Sequence, residues 1–467
     1  MLSSPNNAYI KNVIIVSIAF FLEFTAFAGI ANLQSSLNND LDDAVGTTSL
    51  AVIYGSIIVS SILLPSIIIE KIGLKYTLMA SLCAYVTYTI ANFYPSYYTL
   101  IPTAVLLGLA GAPLWSAKCA YVTTAAQKYA KITNEPEETV VTRFFGIFFF
   151  FFQLTQISGN LISSLVLSDL TSNGFPKFEA VHNQSYISSY CGSNNCNKQS
   201  FDSPGKNDPK LAYILMAIYS ATGVGSILFI WWFLDDMKMT TSTSVQTSMN
   251  PKQLLWASIK HLVSDKRQQC IIFITMYSGF KQAFLTGDFT NSFINCPLGI
   301  NWIGFVLMSF GAVNAICSFS FGRLSGQIGK NTSRGFLIGL ALGLDLMAYT
   351  SLLLWNPQPE NSWFPFFWFP IFFGVSDAVI QTQVNAIYGA FFADNQDAAF
   401  SNYRLWESVG FVIPFAYQPV LCVSTKLYVN ILVVLLALIF YLLCEKINLT
   451  MKLQNDRFEE KDSLKSS

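Results

Sequence analysis

Residues 48–93 read TSLAVIYGSIIVSSILLPSIIIEKIGLKYTLMASLCAYVTYTIANF: two apolar runs, at about 48–69 and 75–93, joined by the short polar turn Glu70-Lys71-Ile72-Gly73-Leu74-Lys75. An α-helix rises 1.5 Å per residue, so about 20 apolar residues cross the ~30 Å hydrocarbon core of a bilayer. Each run has that length. The turn is too short for anything but a hairpin of two spanning helices.

The same reading extends outward in both directions. Further runs lie at about 11–33, 98–124, 143–167, 211–234, 270–291, 300–322, 335–355, 363–390, 402–424 and 426–445, which makes twelve. With 52% hydrophobic and 12% charged residues and a mean hydropathy of +0.45, a soluble chain of 467 residues would lack the polar residues to cover its surface. The formal net charge is zero, which points to no nucleic-acid partner. The first run starts after ten residues, has no basic region beyond Lys11 and no small-residue cleavage site, so it reads as a retained span.

The basic residues orient the chain. With the amino terminus inside, nineteen Lys and Arg fall in the cytosol, among them Lys71, Lys75, Lys128, Arg143, Lys266, Arg267 and Lys446. Five fall outside: Lys177, Lys198, Lys206, Lys210 and Lys426. The positive-inside rule then predicts two cytosolic termini. The long loop at about 168–210 agrees, because its sequon Asn183-Gln-Ser185 and its pair Cys191 and Cys196 belong on an oxidising, glycosylated side. A local disulfide between Cys191 and Cys196 is the expectation, with two free thiols as the alternative. The other cysteines, Cys83, Cys119, Cys270, Cys296, Cys317, Cys422 and Cys444, read as small apolar side chains in or beside spans.

Catalytic and metal chemistry find no support. Two histidines, His182 and His261, stand far apart, so neither a metal cluster nor a Ser/His/Asp triad can be drawn. No phosphate-binding loop is present, and no cofactor is expected.

The break at about 235–269 leaves six spans on each side. That arrangement resembles the major facilitator superfamily: an all-α membrane protein of twelve transmembrane helices in two six-helix halves. The expected divisions are 1–234, a linker 235–269, 270–445 and a tail 446–467. After span 8 the chain reads Gly322-Arg323-Leu324-Ser325-Gly326-Gln327-Ile328-Gly329-Lys330, a partial copy of the turn after span 2, with Gly73 and Gly329 in matching places. In the linker, Asn250-Pro251-Lys252-Gln253 is a helix start, and Leu254, Leu255, Ile259, Leu262 and Val263 recur at helical spacing, as in a helix lying on a membrane surface.

Ionisable groups at membrane depth are costly and mark candidate sites. Glu23 lies mid-span, as does Asp345. Lys281 and Asp288 share span 7, two turns apart, too far to pair directly. Asp377, Gln381 and Asn385 stand at i, i+4 and i+8, one helical face suited to a wet cavity between the halves. Arg404 and Glu407, three apart, suit a local pair, and Lys118 is placed to snorkel toward the cytosol. Gly335, Gly339 and Gly343 form a small-residue repeat that lets another helix approach, within the chain or from a partner.

Several stretches resemble the uncoordinated-ninety-three family, and in it the homolog A branch: Thr25–Leu37 (TAFAGIANLQSSL), Leu106–Thr123 (LLGLAGAPLWSAKCAYVT), Phe145–Val166 (FGIFFFFFQLTQISGNLISSLV), Asp377–Gly389 (DAVIQTQVNAIYG) and Ala399–Phe411 (AFSNYRLWESVGF). The resemblance implies a glycosylated plasma-membrane or endomembrane protein, a regulator of a potassium channel or of ion balance through protein contacts. It carries Gln34, Trp115, Asn160, Asp377, Gln381, Asn385, Arg404 and Glu407 as candidate cavity residues. The alternative is a secondary transporter working by alternating access.

Overall fold

The structure is a computed structural model. It describes residues 5–37, 45–135, 137–168, 177–196, 209–237, 260, 262–327, 332–360, 362–391 and 396–466. Its membrane helices are α1 (Pro5–Leu37), α2 (Val45–Ala91), α3 (Tyr97–Thr133), α4 (Glu137–Leu167), α6 (Pro209–Phe233), α7 (Lys266–Ala283), α8 (Trp302–Gln327), α9 (Thr332–Leu354), α10 (Phe364–Phe391), α11 (Gln396–Tyr417) and α12 (Val423–Ser466). A short α5 (Gln184–Tyr190) lies in the long loop. Beyond Ala283, α7 continues as a π-helix, Phe284–Asn295, and ends at Leu298. Among the described residues, seven helices are long and apolar enough to cross a membrane, and α2 and α8 carry shorter apolar stretches, Val45–Ser61 and Trp302–Ser318.

α2 holds two spans. A straight helix of 47 residues would run about 70 Å, twice the hydrocarbon thickness. Gly73 breaks it at φ 78° and ψ 171°, a backbone conformation closed to most other residues. The chain turns back there, and Ser49 near one end of α2 meets Tyr88 near the other, hydroxyl to hydroxyl at 2.8 Å. Lys75, just past the turn, donates to the carbonyls of Trp231 (3.1 Å) and Leu234 (2.6 Å) at the end of α6. The turn following span 8 includes Gly329, which lies outside the described residues, as does nearly all of the linker helix expected from Asn250.

The halves meet through α4 on α8, α2 on α11 and α1 on the π-helical end of α7. The first two are equivalent pairings when the halves are exchanged. The contacts are close because glycine faces backbone: a Cβ on Gly304 would lie 2.0 Å from the Asn160 carbonyl. Ser164 Oγ accepts from Phe305 N (3.0 Å), Ser35 and Thr290 hydroxyls meet at 3.2 Å, and Tyr54 stacks on Phe411 at 4.0 Å. These bonds gather toward the face that carries the long loop, opposite the face where α1 begins.

The expected Cys191–Cys196 bridge does not form. Cys191 pairs instead with Cys296 at the end of α7, and Cys196 with Cys422 just before α12. The cause is tertiary: the loop folds down on the second half. Val181 N donates to Pro297 O (3.0 Å), Val423 N to Asn195 O (2.8 Å) and Asn195 Nδ2 to Ser292 Oγ (2.8 Å), which sets each loop cysteine opposite a helix-end cysteine. Cys296 and Cys422 are therefore not the inert small residues that their positions suggested.

Candidate functional site

The polar residues of α7 to α11 assemble into linked clusters inside the second half. Lys281 on α7 points between Asp345 on α9 (3.7 Å) and Asp377 on α10 (3.4 Å). All three are buried. Lys281 also donates to Ser376 Oγ (3.2 Å), and Ser376 in turn donates to Asp345. Tyr277 Oη donates to the same Asp345 oxygen at 2.5 Å. Asp377 accepts from Asn314 Nδ2 on α8 (2.8 Å) and from Gln282 Nε2 (3.5 Å). Asp377 thus faces the interior of its own half, not an open cavity.

One turn along α10, Gln381 donates to Ser278 Oγ (3.0 Å) and accepts from Tyr403 Oη (3.1 Å). Tyr403 also donates to Glu407 (3.0 Å), and Glu407 pairs with Arg404 at 2.8 Å, the local pair their spacing predicts. Asn385 donates to the Gln381 carbonyl of its own helix (2.7 Å). Arg404 lies over the Trp115 ring of the first half at 5.5 Å, yet its side chain keeps 46% of its surface open. The guanidinium therefore lies where the two halves touch, with part of its surface open.

Trp115 belongs to an aromatic block with Phe20, Phe24 and Phe152. Lys118, expected to snorkel outward, is instead 1% exposed and sits over the rings of Trp115, Phe145, Phe148 and Phe149 at 4.4–5.4 Å. The phenylalanine run of α4 closes over it, and ring faces hold the ammonium by cation–π attraction. Glu23 is also buried, with Ser226 Oγ donating to one of its oxygens (3.2 Å).

Two candidates sit elsewhere. Gln34 joins α1 to α2, donating to Tyr88 Oη (3.0 Å) and Asn92 Oδ1 (2.7 Å). Asn160 accepts from Asn32 Nδ2 (2.9 Å) and packs its carbonyl on Gly304. Both hold helices together near the loop face. Lys281 and Asp288, which share a helix, belong to separate clusters, and the partner of Asp288 is Lys426 at 2.6 Å. Lys426 was counted with the outside residues. It is fully buried, and also donates to the Gln418 carbonyl (2.8 Å). Among the described residues, no group of three or more His, Cys, Asp or Glu is placed to hold a metal. Asn183 is exposed and caps α5 by accepting from Tyr186 N (2.9 Å).

This bundle has the fold of major facilitator transporters. It superposes on the nucleoside transporter NupG with a TM-score of 0.61 at 12% identity, covering 93% of this chain and 99% of that one. A bacterial homolog of the human lysosomal transporter Spinster, inward-facing and unoccupied, gives 0.61 at 13%, covering 95% and 98%. At such identities the likeness is one of fold. Residues 38–442 match the family described as "Ion channel regulatory protein UNC-93". Protein unc-93 homolog A of Xenopus laevis is 45% identical over 440 residues, 92% of each chain, and that of Homo sapiens 39% over 440 residues, 93% of each. In Caenorhabditis elegans, unc-93, named as a candidate potassium channel regulatory protein, is 30% identical over 459 residues, 95% of this chain and 62% of that one. The chain is a multi-pass membrane protein and belongs to the UNC-93 family.

Proposed function

We propose that this protein regulates a potassium channel, or ion balance more broadly, through contacts with other membrane proteins, and that it is not an enzyme. The match to an ion channel regulatory family along most of the chain carries the reading. The loop supports it, because its two disulfides anchor it to the end of α7 and the start of α12, as suits a scaffold more than a moving carrier. The outer face of α9 supports it too: among the described residues, nothing lies within 4 Å of where a Cβ would stand on Gly339 or Gly343. We place the protein in the plasma membrane with both termini cytosolic, Asn183 glycosylated, and Trp115, Gln381, Arg404 and Glu407 bordering the space between the halves. The divisions remain 1–234, 235–269, 270–445 and 446–467.

Co-expression with a potassium channel should change the potassium current, and purified protein alone in liposomes should move no solute. Solute movement abolished by Asp377→Ala would sink this reading. The second reading is a secondary transporter, favoured by the fold and by the open side of Arg404. It requires two states. Spin-label distances between the turn at Gly73 and the turn at Gly329 should then show two populations that ion gradients shift; one population under every gradient counts against it.

A further inference from the structure

Among the described residues, each buried carboxyl of the second half has a cation of its own, with one exception. Lys426 pairs with Asp288, and Arg404 with Glu407. Lys281 alone faces two carboxyls. With all three ionised, the cluster would hold an uncompensated negative charge where burying an unpaired ion is costly.

The geometry shows where the missing positive charge belongs. Of the four carboxyl oxygens, three have partners. Asp377 Oδ1 faces Lys281 and Gln282, Asp377 Oδ2 accepts from Asn314, and Asp345 Oδ2 takes Tyr277, Ser376 and Lys281. Asp345 Oδ1 has no hydrogen-bond partner, and its residue is sealed from solvent. Among the described residues, the groups acting on Asp345 include no second cation: Lys281 and Tyr277 come from α7, Tyr349 from its own helix, and Ser376 and Asp377 from α10.

We propose that Lys281, Asp345 and Asp377 form a proton-binding site, in which one proton held on Asp345 Oδ1 completes the charge. A proton fits where a metal ion does not, because the Lys281 ammonium already occupies the space between the carboxyls. Asp377 keeps the largest exposed fraction of the three side chains, 6%, so exchange of the proton with water starts from its side of the cluster. Loss of the proton leaves Lys281 drawn between two carboxylates on α9 and α10. That redistributes force onto α10, whose Gln381 leads through Tyr403 and Glu407 to Arg404 at the boundary between the halves. This inference does not depend on the channel-regulator reading.

Infrared spectroscopy of the full-length protein in nanodiscs tests it, because a protonated carboxyl shows a C=O stretch that a carboxylate lacks and that shifts in D2O. Differences between variants cancel Glu23 and other carboxyls. Against Asp345→Asn, the wild type should show one protonated carboxyl. Asp377→Asn should also lose that band, since Lys281 then balances Asp345 alone, and Lys281→Met should double it. Each variant is first checked by size-exclusion chromatography, and if Asp345→Asn fails to fold, the Asp377→Asn comparison decides. The proposal is overturned if Asp377→Asn keeps the wild-type band. It is also overturned if the band responds to replacing Na+ and K+ by N-methylglucamine at constant pH, which would mark an alkali cation instead.

Discussion

Serine substitutions at the loop cysteines separate the observed disulfide pattern from the local pair that the sequence suggests. The bridges Cys191–Cys296 and Cys196–Cys422 close segments of 105 and 226 residues. In the chain-entropy model, loops of that size are worth about 5 kcal/mol each. That is an upper bound here, because helices already inserted in a bilayer restrict the unfolded chain, so about 2–4 kcal/mol per bridge is the working figure. Cys191→Ser and Cys296→Ser remove the same bridge, so their double variant should be no less stable than either single one. Cys191→Ser and Cys196→Ser remove different bridges, so their losses should add. Thermal unfolding in detergent, with and without reductant, measures this, and non-reducing peptide mapping identifies the linked cysteines. The reasoning fails if the Cys191→Ser, Cys196→Ser double variant is no worse than its singles, since that is the signature of a local Cys191–Cys196 bridge.

Lys426→Met should cost about 3–5 kcal/mol by leaving Asp288 buried without its cation, while adding Asp288→Leu should recover most of the loss; a double variant as unstable as the single in thermal unfolding would refute the pairing. Gly410→Ala puts a Cβ 2.1 Å from the Met276 carbonyl and should cost about 1–3 kcal/mol or more, whereas Gly339→Ala meets nothing within 4 Å and should be neutral or slightly stabilising; equal melting temperatures would contradict the packing of α7 on α11. Asn183→Gln should remove a glycan-sized mass from protein made in cells without changing its chromatographic profile, and an unchanged mass would rule out modification at that site.

How much of this was legible in the sequence depended on whether a constraint acts along the chain or across it. Hydrocarbon thickness acts along it: each span must supply about 20 apolar residues, so the runs and the fold class could be read directly. Partner choice acts across it. Lys281 was visible as a buried cation, but nothing local connects it to Asp345 and Asp377 on other helices, or shows that Tyr277, Ser376 and Asn314 complete the cluster. Lys426 was assigned to the outside because it lies within a turn of the start of a span. What its position could not show was the direction of its side chain, toward Asp288. Cys191 and Cys196, five residues apart, suggested each other for the same reason.

The glycines show this most clearly. Gly335, Gly339 and Gly343 form the recognisable small-residue repeat, yet Gly339 and Gly343 face open space. The close helix contacts fall at Gly159, against the Thr25 carbonyl, at Gly304, against Asn160, and at Gly410, against Met276. None of these three drew notice as part of a repeat. A repeat requires one helix to present small residues turn after turn, as a face that receives a helix along its length does. The crossings inside this bundle place their glycines where two helices touch, as Gly279 and Gly410 do on α7 and α11, and not as a three-residue repeat along one helix. Gly339 and Gly343 on α9 therefore lie where the described residues place no packing demand, and a variant series there would probe contacts outside the chain without disturbing its core.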